Sequence, residues 1–200
     1  HALNGGKKFS KIDLKDAYLQ VKLDEKSKSV VVINTHKGLF RFTRLPFGIA
    51  SAPAIFQKLM EEVFQGLEGV IVYLDDIVIT ASDDSTHLQR LEEVLRRLKQ
   101  SGLRLKKEKC AFLSTRIAYL GHVVDAGGIH TDPKKVEAIL KMPYPTDVKG
   151  LMSFLGMVGY YGKFIPNLST LAGPLNRLRR QDVEWEWTSA EQSAVDNIKK

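Results

Sequence analysis

The sequence predicts an α+β fold: helices packed on one face of an antiparallel sheet, followed by a small helical subdomain. Short runs of β-branched and aromatic residues recur through roughly the first 125 positions, and stretches with apolar residues at three- and four-residue steps separate them. After "DAGG" (125–128) the strand-like texture gives way to helical patterns punctuated by Pro and Gly. With 200 residues, 44% of them hydrophobic, the chain can bury a sizeable core in one large domain or two small ones.

The elements follow in order. "FSKIDL" (9–14) and "AYLQVKL" (17–23) read as two strands, the second with Tyr18, Gln20 and Lys22 on one face and Leu19, Val21 and Leu23 on the other. "DEKSK" (24–28) reads as a polar connection, and Val30–Ile33 and Leu39–Phe42 as a hairpin around "THKG". "LPFGIASAPAIFQKLMEEVF" (45–64) supplies a turn and a helix, with Pro53 in its first turn and Phe56, Leu59, Met60, Val63 and Phe64 at helical spacing. Leu88, Leu91, Leu95 and Leu98 mark a second helix over 84–101, which Gly102 ends. A strand region lies around "IAYLGHVV" (117–124). Beyond it, Asp132 caps a helix with Pro133 at its first position, and Leu151, Phe154, Leu155, Val158 and Tyr161 give the next helix an apolar face. Trp185 and Trp187 in "VEWEWT" alternate like a strand, and Thr188 with Glu191 has the spacing of a capping box.

Composition narrows the function. The formal net charge is +7, and Leu88–Cys110 holds eight Lys or Arg against three Glu, which makes a polyanion such as nucleic acid a candidate partner. Taken alone, that cluster reads better as a solvated helix face. The single cysteine, Cys110, excludes an internal disulfide and suits a reducing compartment. No apolar run approaches the roughly 20 residues of a membrane span, and no signal-peptide pattern opens the chain. The five histidines show no metal-binding spacing. Starting at His1 without Met, the chain reads as a piece of something longer.

In "GVIVYLDDIVITAS" (69–82) two carboxylates, Asp75 and Asp76, interrupt two buried-strand patterns, Val70–Leu74 and Ile77–Ile79. A tight hairpin turn favours Asn-Gly, Asp-Gly or a leading Gly because its backbone takes positive φ, so Asp-Asp is an indifferent turn former. Two negative charges at a buried hairpin tip repel each other and lose hydration unless a cation sits with them. Paired acids in loops are common, and the added weight comes from Asp13, which ends "FSKID" where a strand could lie beside the hairpin. Three carboxylates at one sheet edge suit two Mg²⁺ ions, or Mn²⁺ in their place, since these cations take oxygen ligands and leave room for phosphate. Such a pair serves nucleotidyl transfer onto a 3′-hydroxyl.

The residues also carry a resemblance. "DLKDAY" (13–18), "LPFGIASAPAIFQKLM" (45–60), "YLDD" (73–76) and "YLGH" (119–122) stand in the order and spacing of reverse transcriptases. The chain most resembles the gypsy-type class of LTR retrotransposons, to which "RLPFG", "SAPAIFQ" and the block from "FLG" (154–156) through "GYYGKFIPNLSTLAGPL" (159–175) are especially specific. The resemblance covers essentially the whole chain. It implies a polymerase palm over 1–125, a helical thumb over 126–172 and the truncated start of a connection or RNase H-like segment over 173–200. Fingers that help clamp the triphosphate are expected before Asp13, where only twelve residues stand.

The resemblance also implies roles. Asp13, Asp75 and Asp76 are the metal-binding, catalytic carboxylates, with Asp13 and Asp75 as main bridging ligands and Asp76 less directly engaged. Leu14 adds a backbone carbonyl. Tyr18 lies under the incoming sugar and excludes a 2′-hydroxyl by its bulk. Phe47 and Gly48 contact nucleotide and template, Gly48 by close backbone approach. Lys109 is a candidate general acid for pyrophosphate, with Lys106 and Lys107 near enough to compete. Tyr73 and the "YLGH" residues Tyr119, Leu120, Gly121 and His122 brace the primer and template. Lys134, Lys135, Lys141, Lys149, Tyr160, Tyr161 and Lys163 could track a duplex backbone.

The expected function is therefore RNA-directed DNA polymerisation, weak or absent in this piece alone. The expected partners are an RNA or DNA template–primer duplex, deoxynucleoside triphosphates and the remaining polyprotein domains: fingers, RNase H and, as a further candidate, integrase. The expected setting is intracellular, a cytoplasmic particle or the nucleus, with no membrane. One alternative is an inactive nucleic-acid-binding or interaction module, although such a descendant has little physical reason to keep like charges at a hairpin tip. Another is a telomerase or intron-encoded polymerase, against which the 154–169 block argues.

Overall fold

The computed structural model describes residues 5–200, which fall into two compact units. The first contains the chain up to Tyr119 together with Val124–Ile129, and the second contains Leu120–Val123 and His130–Lys200.

The first unit is built on a four-stranded sheet in the order β4-β5-β1-β6, comprising β1 (Lys8–Asp13), β4 (Val70–Tyr73), β5 (Asp76–Ala81) and β6 (Ala111–Ser114). β1 runs antiparallel to both of its neighbours, and β4 antiparallel to β5. Alternation along the strands divides the sheet into two faces. Ile12, Ile77 and Ile79 meet Phe56, Met60 and Phe64 of α2 (Ala52–Phe64) and Leu91, Val94 and Leu98 of α3 (Asp84–Gln100) in one core. Fully burying each large side chain there stabilises the fold by about 1.5–3 kcal/mol. On the opposite face Phe9 and Val78 pack with Ile117, Tyr119 and Val124. Helices on one face of an antiparallel sheet is the arrangement the sequence predicts.

Local signals bound α3 at both ends, and the Gly102 stop is the one the sequence predicts. The Asp83 side chain accepts the Thr86 N–H at 2.8 Å, and Gly102 takes φ +69° just past the end. The basic cluster on this helix is in part structural. Arg97 donates to the Val63 and Gln65 carbonyls at 3.0 and 2.8 Å, Arg90 donates to the Thr80 carbonyl at 2.6 Å, and Arg96 and Arg97 both grip Glu93, whose carboxyl their hydrogen bonds hold down to about 2.

Two sequence expectations fail in this unit, and one strand goes unread. "AYLQVKL" is not a strand. Asp16 adopts a left-handed conformation, and a short 3₁₀ turn spans Ala17–Gln20. Gln20, expected to alternate on a strand face, instead bridges two chain segments by donating to the Lys15 and Arg104 carbonyls and accepting the Arg104 N–H. "DEKSK" lies in a short helix, α1 (Glu25–Val30), because Asp24 caps it by accepting the Ser27 N–H at 2.7 Å. β6 has no counterpart in the sequence reading. The expected hairpin does form, as β2 (Val32–Thr35) and β3 (Gly38–Arg41).

β7 (Arg116–Tyr119), β8 (His122–Asp125) and β9 (Gly128–Thr131) form a three-stranded sheet in sequence order. From Pro133 onward the second unit is helical, with α4 (Pro133–Leu140), α5 (Val148–Tyr160), α6 (Leu168–Leu171), α7 (Gly173–Arg177) and α8 (Ser189–Ile198). Leu151, Phe154 and Val158 share one core with Leu175, Leu178 and Val195. The Thr188–Glu191 capping box is present, with Glu191 fully buried. Trp185 and Trp187 are not on a strand. Their rings stack 5.8 Å apart and pack against the unit's own core, and the Trp187 indole donates to Gln192 at 3.2 Å. Among the described residues no helix is long and apolar enough to cross a membrane.

Candidate functional site

The hairpin that carries the paired carboxylates pairs Tyr73 with Asp76, which leaves Leu74 and Asp75 as its two-residue loop. The tip is thus one residue earlier than the sequence suggests, and Asp76 is already on β5. The positive φ falls on Leu74, at +54°. A left-handed L-residue costs about 1–2 kcal/mol. Gln57 on α2 offsets it, accepting the Leu74 N–H at 2.7 Å and donating to the Val72 carbonyl at 3.2 Å, while Glu61 fixes the amide by accepting a second N–H at 2.9 Å. One side-chain amide therefore ties the end of β4 and the first loop residue to the helix below.

The antiparallel register sets Asp13 directly opposite Asp76. The end of β1 is fastened on both sides: the Leu14 N–H donates to the Asp75 carbonyl at 3.3 Å, and the Asp13 carbonyl accepts the Lys106 N–H at 2.8 Å. Beside it opens a cleft of about 360 Å³. Of the residues expected at the site, Asp13, Leu14, Tyr18, Phe47, Asp75 and Lys109 line it. Lys106, the named competitor of Lys109, lines it as well, and the structure adds Asp16 and Ala17.

Tyr18 is held as a wall. Its ring lies 5.1 Å from that of Phe47 and 5.3 Å from that of Phe56, so aromatic packing fixes it from two sides. Gly48 has open space where a Cβ would stand and takes φ +88°, so a left-handed turn, rather than a close approach, requires glycine there.

The charges are arranged unevenly. Burial raises the Asp13 carboxyl above its usual range, Lys109 pulls it back, and Asp75 and Asp76 push it further up. Lys109 Nζ stands 4.0 Å from Asp13 Oδ2. Asp76 is engaged elsewhere, with Lys11 Nζ 3.0 Å from its Oδ1. Among the described residues no group of three or more His, Cys, Asp or Glu side chains is close enough to hold a metal ion. Asp13 and Asp75 on the cleft wall offer the oxygen donors a hard divalent cation takes, and their mutual repulsion is the charge such a cation would neutralise. The third carboxylate does not join them as placed.

The "YLGH" residues form the β7–β8 turn. Tyr119 is buried, and burial with the nearby Asp76 and Tyr73 pushes its hydroxyl up to about 12. Leu120 and Gly121 both take positive φ, at +46° and +68°. Within the second unit their carbonyls accept hydrogen bonds from the Tyr160 and Tyr161 hydroxyls, the latter at 2.8 Å. His122 stacks on Tyr160 at 5.2 Å, and burial with Lys163 holds its imidazole low. The two tyrosines expected at phosphates thus donate to the turn. Tyr73, at the end of β4, is half exposed.

Sequence reasoning missed Gln57, Lys11 and Asp16. Strand alternation could have found Lys11, because it stands two positions before Asp13, on the same strand face. Gln57 sits in a helix and carries no local signal of the turn it holds.

The reverse transcriptase (RNA-dependent DNA polymerase) family pattern matches residues 1–124. A retrovirus-related Pol polyprotein from transposon opus of Drosophila melanogaster is 41% identical over 181 residues, covering 90% of this chain and 18% of the polyprotein. Among solved structures, a foamy viral protease–reverse transcriptase in complex with double-stranded DNA matches with a TM-score of 0.92 at 26% identity, over 100% of this chain and 37% of that one. The foamy viral protease–reverse transcriptase with an RNA/DNA hybrid matches with a TM-score of 0.89 at 27% identity, over 99% of this chain and 28% of that one. A match of this extent, over the segment that carries the hairpin and the cleft, is decisive: the chain belongs to the reverse transcriptase family.

Proposed function

We propose that the cleft beside Asp13 and Asp75 is the nucleotidyl-transfer site of an RNA-directed DNA polymerase from a gypsy-type LTR retrotransposon polyprotein. The observation that carries this reading is the convergence of Asp13, Asp75, Tyr18, Phe47 and Lys109, from four separate stretches of sequence, on one cleft. The natural substrates are a primer–template duplex and deoxynucleoside triphosphates, and the protein works inside the cell with the other domains of its polyprotein.

Reverse transcriptases generally use divalent metal ions, and a bound pair of Mg²⁺ ions would make the primer hydroxyl easier to deprotonate and neutralise charge on the departing phosphates. Asp13 and Asp75 would hold them, with the Leu14 carbonyl as a further donor. The chain's own residues do the rest. Tyr18, braced by Phe47 and Phe56, leaves no room for a ribose 2′-hydroxyl. The primer 3′-hydroxyl gives up its proton to solvent as its oxygen bonds the α-phosphorus, the bond from that phosphorus to the oxygen it shares with the β-phosphate breaks, and Lys109 or Lys106, both at the cleft wall, gives a proton to the departing pyrophosphate. The turn at Leu120 and Gly121, held by Tyr160 and Tyr161, supports the primer end.

The test is Mg²⁺-dependent primer extension on an RNA template, with this chain and with a longer segment of its polyprotein, each with and without Asp75→Asn. Extension by the longer segment that disappears in the variant supports the reading. Intact nucleic-acid binding without extension in either would overturn it in favour of an inactive binding module.

A further inference from the structure

Lys11 and Asp76 form a pair that the proposed chemistry does not use. The two residues lie diagonally across the β1–β5 ladder: Asp76 faces Asp13, and Lys11 faces Val78. Strand alternation puts Lys11, Asp13 and Asp76 on the same sheet face. The Nζ–Oδ1 distance is 3.0 Å, and the two side chains are only 23% and 20% exposed. Such shielding sets the pair apart from surface ion pairs such as Lys58–Glu62, where both partners are mostly in water. Asp76 is also absent from the cleft wall to which Asp13 and Asp75 contribute.

We propose that Lys11 is an internal counter-ion that holds Asp76 away from the cation site, so that a divalent metal must compete with a lysine for its third carboxylate. The inference rests on the metal-binding reading given above. Two consequences follow from one charge. Without metal, Lys11 neutralises a carboxylate that otherwise sits opposite Asp13 and beside Asp75, which keeps the hairpin from being pushed apart. With metal, the same ammonium lowers the affinity of the site, because its positive charge stands within a few ångströms of where the cation binds. Lys11 is thus a positioning residue for Asp76. It sets the metal concentration at which the three carboxylates can close together.

The experiment compares the unaltered chain with Lys11→Met, Lys11→Arg and Asp13→Asn, with circular dichroism to confirm folding. Met keeps the aliphatic stem and removes the charge, whereas Arg keeps the charge. Mn²⁺ binding is measured by electron paramagnetic resonance in the absence of nucleotide and nucleic acid, and melting temperature is followed with and without MgCl₂. The expected result is Mn²⁺ binding about tenfold tighter in Lys11→Met and near normal in Lys11→Arg. A lower metal-free melting temperature in Lys11→Met, recovered by Mg²⁺, is expected with it. Mn²⁺ binding that Asp13→Asn abolishes but Lys11→Met leaves unchanged or weakens overturns the role of Lys11 alone. Binding that Asp13→Asn does not touch overturns the metal site itself, and the role of Lys11 with it.

Discussion

Gln57 shows how a single side chain can do what the turn's own sequence does not. The loop Leu74–Asp75 lacks the glycine that a left-handed position favours, and the amide of Gln57 supplies an acceptor for the Leu74 N–H and a donor for the Val72 carbonyl. Gln57→Leu leaves both backbone groups without their partner, so thermal unfolding should show a loss of about 1–3 kcal/mol. Primer extension should fall with it, because Asp75 is the next residue. Unchanged stability and rate would mean that the hairpin holds its own geometry. Tyr18 acts through volume. Tyr18→Val removes most of the ring while leaving a β-branched residue against Phe47 and Phe56, and discrimination against ribonucleotides should drop by about 10–100-fold, read as the ratio of kcat/KM for deoxy- and ribonucleoside triphosphates. An unaltered ratio would place the sugar elsewhere in the cleft.

At the scale of elements, α3 is joined to the central strand by a buried polar pair as well as by apolar packing. His87 is fully buried, its Nε2 lies 2.7 Å from Ser10 Oγ, and that hydroxyl also accepts the Leu113 N–H at 3.1 Å. Burial holds the imidazole below its usual range, with Arg90 and Lys8 acting in the same direction and the Lys8 backbone and Asp84 against them. The unfolded chain therefore takes up a proton at about pH 6.5, before the folded one does. Stability from this site is complete above that pH and declines as the pH falls below it, by at most about 1.4 kcal/mol per unit. His122, also held low, has the same sign. Urea unfolding at pH 7.5 and pH 5 should show the loss, and His87→Gln should flatten part of the slope. A slope indifferent to residue 87 would remove this pair from the account. The helical elements were the most legible in the sequence, since the Asp132 cap and the Thr188–Glu191 box are local in the chain. The 3₁₀ turn at Tyr18 was not, because Gln20 is drawn off a strand pattern by Arg104, 84 residues away.

For the whole molecule, a formal charge of +7 favours a polyanionic partner, and counterion release makes that binding depend on salt. Affinity for an RNA–DNA duplex should fall at least about tenfold between 50 and 200 mM salt, measured by fluorescence anisotropy. A flat response would leave the basic residues with structural roles only, as Arg90 and Arg97 already have in part. The sequence by itself determined the fold class and the helices that start at Asp132 and Thr188, and it singled out three acidic residues as candidates, because periodicity, capping and motif order are written within a few residues of each other. The tertiary structure alone decided that Leu74 rather than an aspartate carries the left-handed turn. It also decided that Gln57 holds that turn, that Tyr18 stands on a 3₁₀ turn between two phenylalanines, and that Asp76 faces Lys11 outside the cleft. Each of these depends on hydrogen bonds, ring contacts or charges between residues far apart or on neighbouring strands, and a pattern read along one chain does not contain the distances that decide which of them form.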